Sequence, residues 1–169
     1  MADAETRRDI ETRADCERLV RTFYGRALVD PIIGFLFTDV AKLDLEQHVP
    51  RITNFWDTIL LGAHTYGGGA FRPHVELHIK VPLTRGHFDR WLHLWTMTVD
   101  ELFAGERAEL AKAHAIRVAS AFESRLRSFG DGSEEFAPGI PEESATGIPE
   151  EGLVGELPLV HHHGRARRA

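Results

Sequence analysis

Cysteine is almost missing from this sequence. Cys16 stands alone, which excludes an intramolecular disulfide and any CxxC metal knuckle. An excess of basic residues is missing too. Twenty Lys and Arg face 26 Asp and Glu, a net charge of −6, so there is no basic footprint for nucleic acid. No run approaches the roughly 18 apolar residues that a membrane-spanning helix needs. The opening MADAETRRDIETRADCERL is charged from the start and has no apolar signal core, so a cytoplasmic protein is expected. Strand signals are scarce as well. IIGFLF (32–37) is the one short, dense apolar run, and no partner strand accompanies it. An all-α chain is therefore expected.

What remains supports one core. With 169 residues and 43% hydrophobic content, a single domain is the default. Ile10, Leu19, Val20, Phe23, Ala27 and Leu28 fall near helical spacing and predict a first helix over 9–28. Tyr24 lies in this stripe, and its hydroxyl needs a partner if buried. Asp30-Pro31 breaks the helix. The next main helix is expected from His48, with Pro50 in its first turn, to a C-cap at Gly62. His48 and Ile52 share a face one turn apart. The following AHTYGGGA reads as a connector, since it carries no phosphate-binding fingerprint. Long amphipathic helices are predicted over 84–103, with Thr84 as N-cap, and over 106–129.

The most informative stretch runs from Phe71 to Trp95 and holds four histidines, His74, His78, His87 and His93, with two of the three tryptophans. Its first half, up to Lys80, is a short helix. A neutral imidazole on such a helix, facing an apolar groove, suits a flat metal-bearing cofactor. A histidine-rich metal site without that cofactor is the competing reading, although Val75 stands where an HExxH motif needs Glu. A helical interaction module is a third. From Asp131 the chain turns rich in Gly, Pro and Glu. A near-repeat (139–143, then 147–151) and a terminal His161-His162-His163 and GRARRA follow. Such composition predicts disorder. The expected division is thus a domain over 1–130 and a tail over 131–169.

In order along the chain, FYGRALVDPIIGFLF, HVPRITNFWDTILLG, the pattern HxxLHxxxPLxxxHFDRWLxLW and the trailing VDELFAG resemble the group III branch of the truncated haemoglobins. The resemblance covers about three quarters of the molecule and excludes the tail. It implies a short two-over-two globin fold around haem b, with the iron free to take O2, NO or CO. By that resemblance His78 matches the proximal iron ligand, at the family's interval before Pro82 and Trp91, and His74 is the alternative one turn earlier. Tyr24 and Trp91 match the ligand-facing donors, and His48 the distal histidine position. Phe23, Phe37, Ile52 and Arg51 complete the expected haem pocket, Arg51 as a partner for a propionate. Tight O2 binding, or redox chemistry on O2, NO or peroxide with an unidentified reductase, is implied rather than transport. An NO dioxygenase or a peroxidase-like activity would fit, and the resemblance does not choose between them.

Overall fold

The computed structural model describes residues 7–130, and every regular element among them is helical. The first helix, α1, spans Arg13–Ala27. It begins a turn later than the hydrophobic spacing suggests because Thr12 and Asp15 form a capping box. The Asp15 N–H donates to Thr12 Oγ1 at 3.2 Å and the Thr12 N–H to Asp15 Oδ2 at 2.9 Å. The residues before it serve another helix. Asp9 accepts from the backbone N–H groups of Arg107 and Ala108, both at 2.9 Å, and so caps the last helix from 98 residues away.

After Asp30 the chain makes a tight turn, and IIGFLF ends in a π-turn, Leu36–Val40. The Ala41 N–H reaching back to Leu36 O at 2.9 Å defines it. Gly34 is required in this corner, because a Cβ there would lie 2.7 Å from the Leu28 carbonyl oxygen.

Helix α2 spans Leu45–Leu61, one turn longer at its start than the proline rule predicts. Asp44 caps it by accepting from Glu46 N–H (3.1 Å) and Gln47 N–H (3.3 Å), and Pro50 sits inside it on the exposed side. Gly62, at φ 71°, ends it in the left-handed conformation. The remaining helices are α3 (Phe71–Lys80), α4 (Arg85–Leu102, with Thr84 as N-cap) and α5 (Glu106–Gly130).

Helix α1 packs on α2 and α4, α4 on α5, and α2 on α5, while the short α3 lies against α5 and the π-turn. The result is a two-over-two helical sandwich. Its core holds Leu19, Val20, Phe23, Trp56, Trp95 and Val99, all at most 2% exposed. At about 2–3 kcal/mol for each such side chain buried, this cluster holds α1, α2 and α4 in fixed register. A second, smaller cluster of Phe71, Val75, Phe122 and Leu126 ties α3 to α5. No helix among the described residues is long and apolar enough to cross a membrane. The Gly/Pro/Glu-rich segment expected to be disordered lies outside the described residues.

Candidate functional site

Three helices and the π-turn bring the expected distal residues together. Tyr24 lies on the buried face of α1. Its hydroxyl is 2.8 Å from Nε2 of His48, in the first turns of α2. The rings of Phe23, Phe37 and His48 pack edge-on against it, with centroids 5.1, 5.8 and 5.2 Å away. Burial raises the Tyr24 pKa, so the phenol keeps its proton. Burial also pushes His48 down to about 4, with the charges of His74 and Arg51 adding to the effect, so the imidazole is neutral near pH 7. A tyrosine–histidine pair inside the fold, rather than a solvated helix-start histidine, is what the sequence did not reveal. Four aromatic or polar side chains from three separate segments had to meet for it to appear.

Ile52 follows His48 by one turn and is half-buried against the core. Trp91 comes from α4, half-buried, with its ring 5.6 Å from Phe23 in an edge-to-face contact. Arg51 is exposed at the rim, where its Nη2 donates to Gly69 O at 3.2 Å. The three-glycine loop thus docks on α2 through its carbonyls.

Across from this group lies α3, and its two candidate histidines differ in a way their spacing does not show. His74 Nδ1 is 2.8 Å from the Ala70 carbonyl oxygen. A carbonyl can only accept, so Nδ1 carries the proton and Nε2 presents its lone pair. Burial lowers the His74 pKa and keeps the ring neutral. His78 has the opposite polarity. The Leu83 N–H donates to His78 Nδ1 at 3.0 Å. An amide N–H can only donate, so in the neutral ring the proton sits on Nε2 and no lone pair is left there. Pro82 has no N–H, and Leu83 supplies the first unpaired donor after Val81 closes the helix on Leu77. His78 is within reach of that donor and takes it.

The His74 ring packs on Phe122 of α5, with centroids 4.7 Å apart. A neutral imidazole with a free Nε2 on α3, together with the phenol, imidazole and apolar rings gathered by α1, α2 and the π-turn, is a donor set that suits a flat metallocofactor. The Nδ1–H bond to a carbonyl is how a ligating histidine is usually oriented. His87 is engaged elsewhere, accepting from the Thr84 N–H at 3.1 Å, and His93 is exposed. Among the described residues no group of three or more His, Cys, Asp or Glu could hold a metal ion, so the histidine-rich metal site is not assembled. Cys16 is buried, and burial pushes its thiol up to about 12, which removes it as a nucleophile.

No protein-family model matches the chain. Over 116 residues it is 26% identical to the group 3 truncated hemoglobin ctb of Campylobacter jejuni, a match covering 67% of this chain and 89% of that protein. The fold matches the crystal structure of the group III truncated hemoglobin from Campylobacter jejuni with a TM-score of 0.64 and 24% identity, over 74% of this chain and 98% of that one. The chain is thus similar in sequence to a group 3 truncated hemoglobin, and its two-over-two helical fold is that of a group III truncated hemoglobin.

Proposed function

We propose that the chain binds haem b between α2 and α3, with His74 as the proximal iron ligand and Tyr24, His48 and Trp91 on the opposite face. The observation that carries the reading is the pair of backbone contacts on α3. Ala70 O holds the His74 proton on Nδ1, whereas the Leu83 N–H favours the His78 tautomer with its proton on Nε2. This moves the assignment from His78, which the interval to Pro82 and Trp91 favours, to the histidine one turn earlier.

When bound there, haem would supply an iron able to take O2, NO or CO, with bound O2 gaining negative charge. The chain's own residues then decide how long a ligand stays. Tyr24 keeps its phenolic proton and can donate it, provided His48 donates through Nε2–H to the Tyr24 oxygen rather than accepting from it. The Trp91 indole N–H is the second donor. Each donor directed at a charged acceptor contributes about 1–3 kcal/mol. Phe23, Phe37 and Ile52 keep water from that face. Arg51, at the rim beside Gly68 and Gly69, offers its guanidinium to a propionate.

Two donors in a dry pocket favour slow release of O2, which suits holding or reacting rather than carrying. Dioxygenation of NO and reduction of peroxide both fit this arrangement, and both need electrons from a reductase. An absorption spectrum of the purified chain, ferric, dithionite-reduced and with CO, tests the reading. A Soret band that shifts with CO is expected. A spectrum without one would leave a helical protein with no haem function.

A further inference from the structure

A groove opens between the α3–α4 junction and the last turns of α5, with a volume of about 360 Å³. Leu83 and the buried Leu126 give it an apolar floor, and His78 and Glu123 line it as well. Arg85, from the first turn of α4, and Arg127, from α5, stand at its edge. Arg127 Nη2 donates to Glu123 at 2.6 Å, and Arg85 Nε lies 3.6 Å from Asp89. The two arginine side chains are 71% and 78% exposed. A guanidinium carries five N–H donors, so each keeps donors for a further carboxylate.

Beyond Gly130 the sequence continues to Ala169, and every charged residue from 131 to 160 is acidic. Most of the net charge of −6 therefore lies past residue 130. Twice this stretch reads Gly-Ile-Pro-Glu-Glu, at 139–143 and 147–151, and nothing in the haem reading uses that near-repeat. Proline fixes its own φ and biases the residue before it toward extended backbone, so little freedom is lost when such a motif binds. With three residues per polyproline-type turn, Ile140 and Glu143 would share a side about 9 Å apart. One apolar side chain followed by two carboxylates complements a leucine floor edged by two guanidiniums. Reach is no obstacle. Arg127 lies one helical turn before Gly130, and residues 131–139 span up to about 30 Å. A segment tethered this closely has an effective concentration in the millimolar range. A second copy, carrying the same −6 charge, has no such advantage.

We infer that the Gly-Ile-Pro-Glu-Glu motif of the chain's own C-terminal segment docks in this groove. Its isoleucine, Ile140 or Ile148, rests on Leu83, and the glutamates after it meet Arg85 and Arg127. The two copies compete for one groove, and the first, on the shorter tether, is favoured. The docked motif straps the α3–α4 junction to α5. Helix α3 is ten residues long and rests on the small cluster around Phe71 and Phe122. The strap is a second hold on the element that carries both His74 and His78. No contact with haem enters this docking, so it stands apart from the haem reading.

The test traps the contact as a disulfide in the full chain carrying Gly86→Cys and Gly139→Cys. Gly86 is exposed beside Arg85, and a Cβ there meets only Thr84 Oγ1, at 3.7 Å. Cys16 is buried, with its thiol pushed up to about 12, so it stays out of the exchange. The intrachain disulfide fraction in a glutathione buffer, read by peptide mass spectrometry, gives the trapping constant. Reversing the groove, by Arg85→Glu with Arg127→Glu, should lower that constant about 5- to 20-fold. Reversing the motif, by Glu142→Lys, Glu143→Lys, Glu150→Lys and Glu151→Lys, should do the same, and the two reversals together should restore it. Ile140→Ser with Ile148→Ser, which leaves every charge in place, should lower it about 5-fold. The motif variants touch no helix, so they decide the matter even if the groove variant fails to fold. Trapping unchanged in the motif variants would overturn the docking, as would a lack of recovery when two folded reversals are combined. Disulfides between chains that rise with protein concentration would assign the groove to a second copy instead. Trapping abolished by inorganic phosphate at constant ionic strength, yet indifferent to the motif variants, would make it a site for a free anion.

Discussion

Tyr24 is held by Phe23 beside it on α1, by Phe37 from the π-turn and by an imidazole from α2, whereas the ring nitrogens of His74 and His78 are each set by one backbone group. The two sides of the site are therefore specified differently. On the α1–α2–α4 side, burial in the large core fixes which residue faces inward, and any change of orientation would expose Phe23 or Trp95. On the α3 side the helix is ten residues long and rests on the smaller cluster around Phe71 and Phe122. There the choice between two histidines four residues apart depends on a carbonyl at Ala70 and an amide at Leu83. Packing determines position on one side, and hydrogen-bond polarity determines chemistry on the other.

Removing the donors on the packed side should have the largest effect. Tyr24→Phe and Trp91→Phe are each expected to raise the O2 dissociation rate about 5- to 100-fold, from the loss of roughly 1–3 kcal/mol to a charged acceptor. CO carries little charge and should be released at nearly the original rate. Stopped-flow release of both gases from the two variants checks this. Unchanged O2 release in both would remove Tyr24 and Trp91 from the ligand pocket.

Burial of imidazole can be tested away from the pocket. His114 on α5 is 2% exposed, its Nε2 has no partner, and burial pushes its pKa from 6.5 down to about 4, with Arg117 adding to the shift. Above pH 6.5 the ring is neutral in both folded and unfolded chains and costs nothing. As pH falls toward 4 the unfolded chain binds a proton that the folded chain refuses, so stability drops, by on the order of 2–3 kcal/mol in total. In His114→Leu the urea midpoint should fall less over that window than in the parent. Equal slopes would show that His114 is not held neutral.

The smallest effect concerns His48. If it donates to Tyr24, His48→Ala loosens the phenol and O2 leaves about 2- to 10-fold faster, as expected for a neutral hydrogen bond of roughly 0.5–1.5 kcal/mol. Slower release would mean that Tyr24 donates to His48, and that the pair competes with the ligand.

The same division explains how much was legible beforehand. Helical spacing around Leu19, Val20 and Phe23, the Asp30-Pro31 break, the Gly62 stop and the Thr84 cap are local signals, and those elements formed where such signals lie. Two helix starts departed from spacing because polar caps outrank it. Thr12 with Asp15 begins α1 late, and Asp44 begins α2 early enough to take Pro50 inside. The motifs point to Tyr24, His48 and Trp91 together. The Tyr24–His48 bond and the opposite polarities of His74 and His78 depend on contacts between distant segments or on main-chain groups. No residue type at a given spacing announces them.

The central claim is that His74, and not His78, is the residue that would hold the iron. The most direct measurement is the absorption spectrum of haem-reconstituted His74→Gly and His78→Gly, before and after adding free imidazole. His74→Gly should lose the Soret band of the parent and regain it with imidazole, while His78→Gly keeps the parent spectrum throughout. The reverse pattern, with His78→Gly needing imidazole and His74→Gly unaffected, would contradict the account.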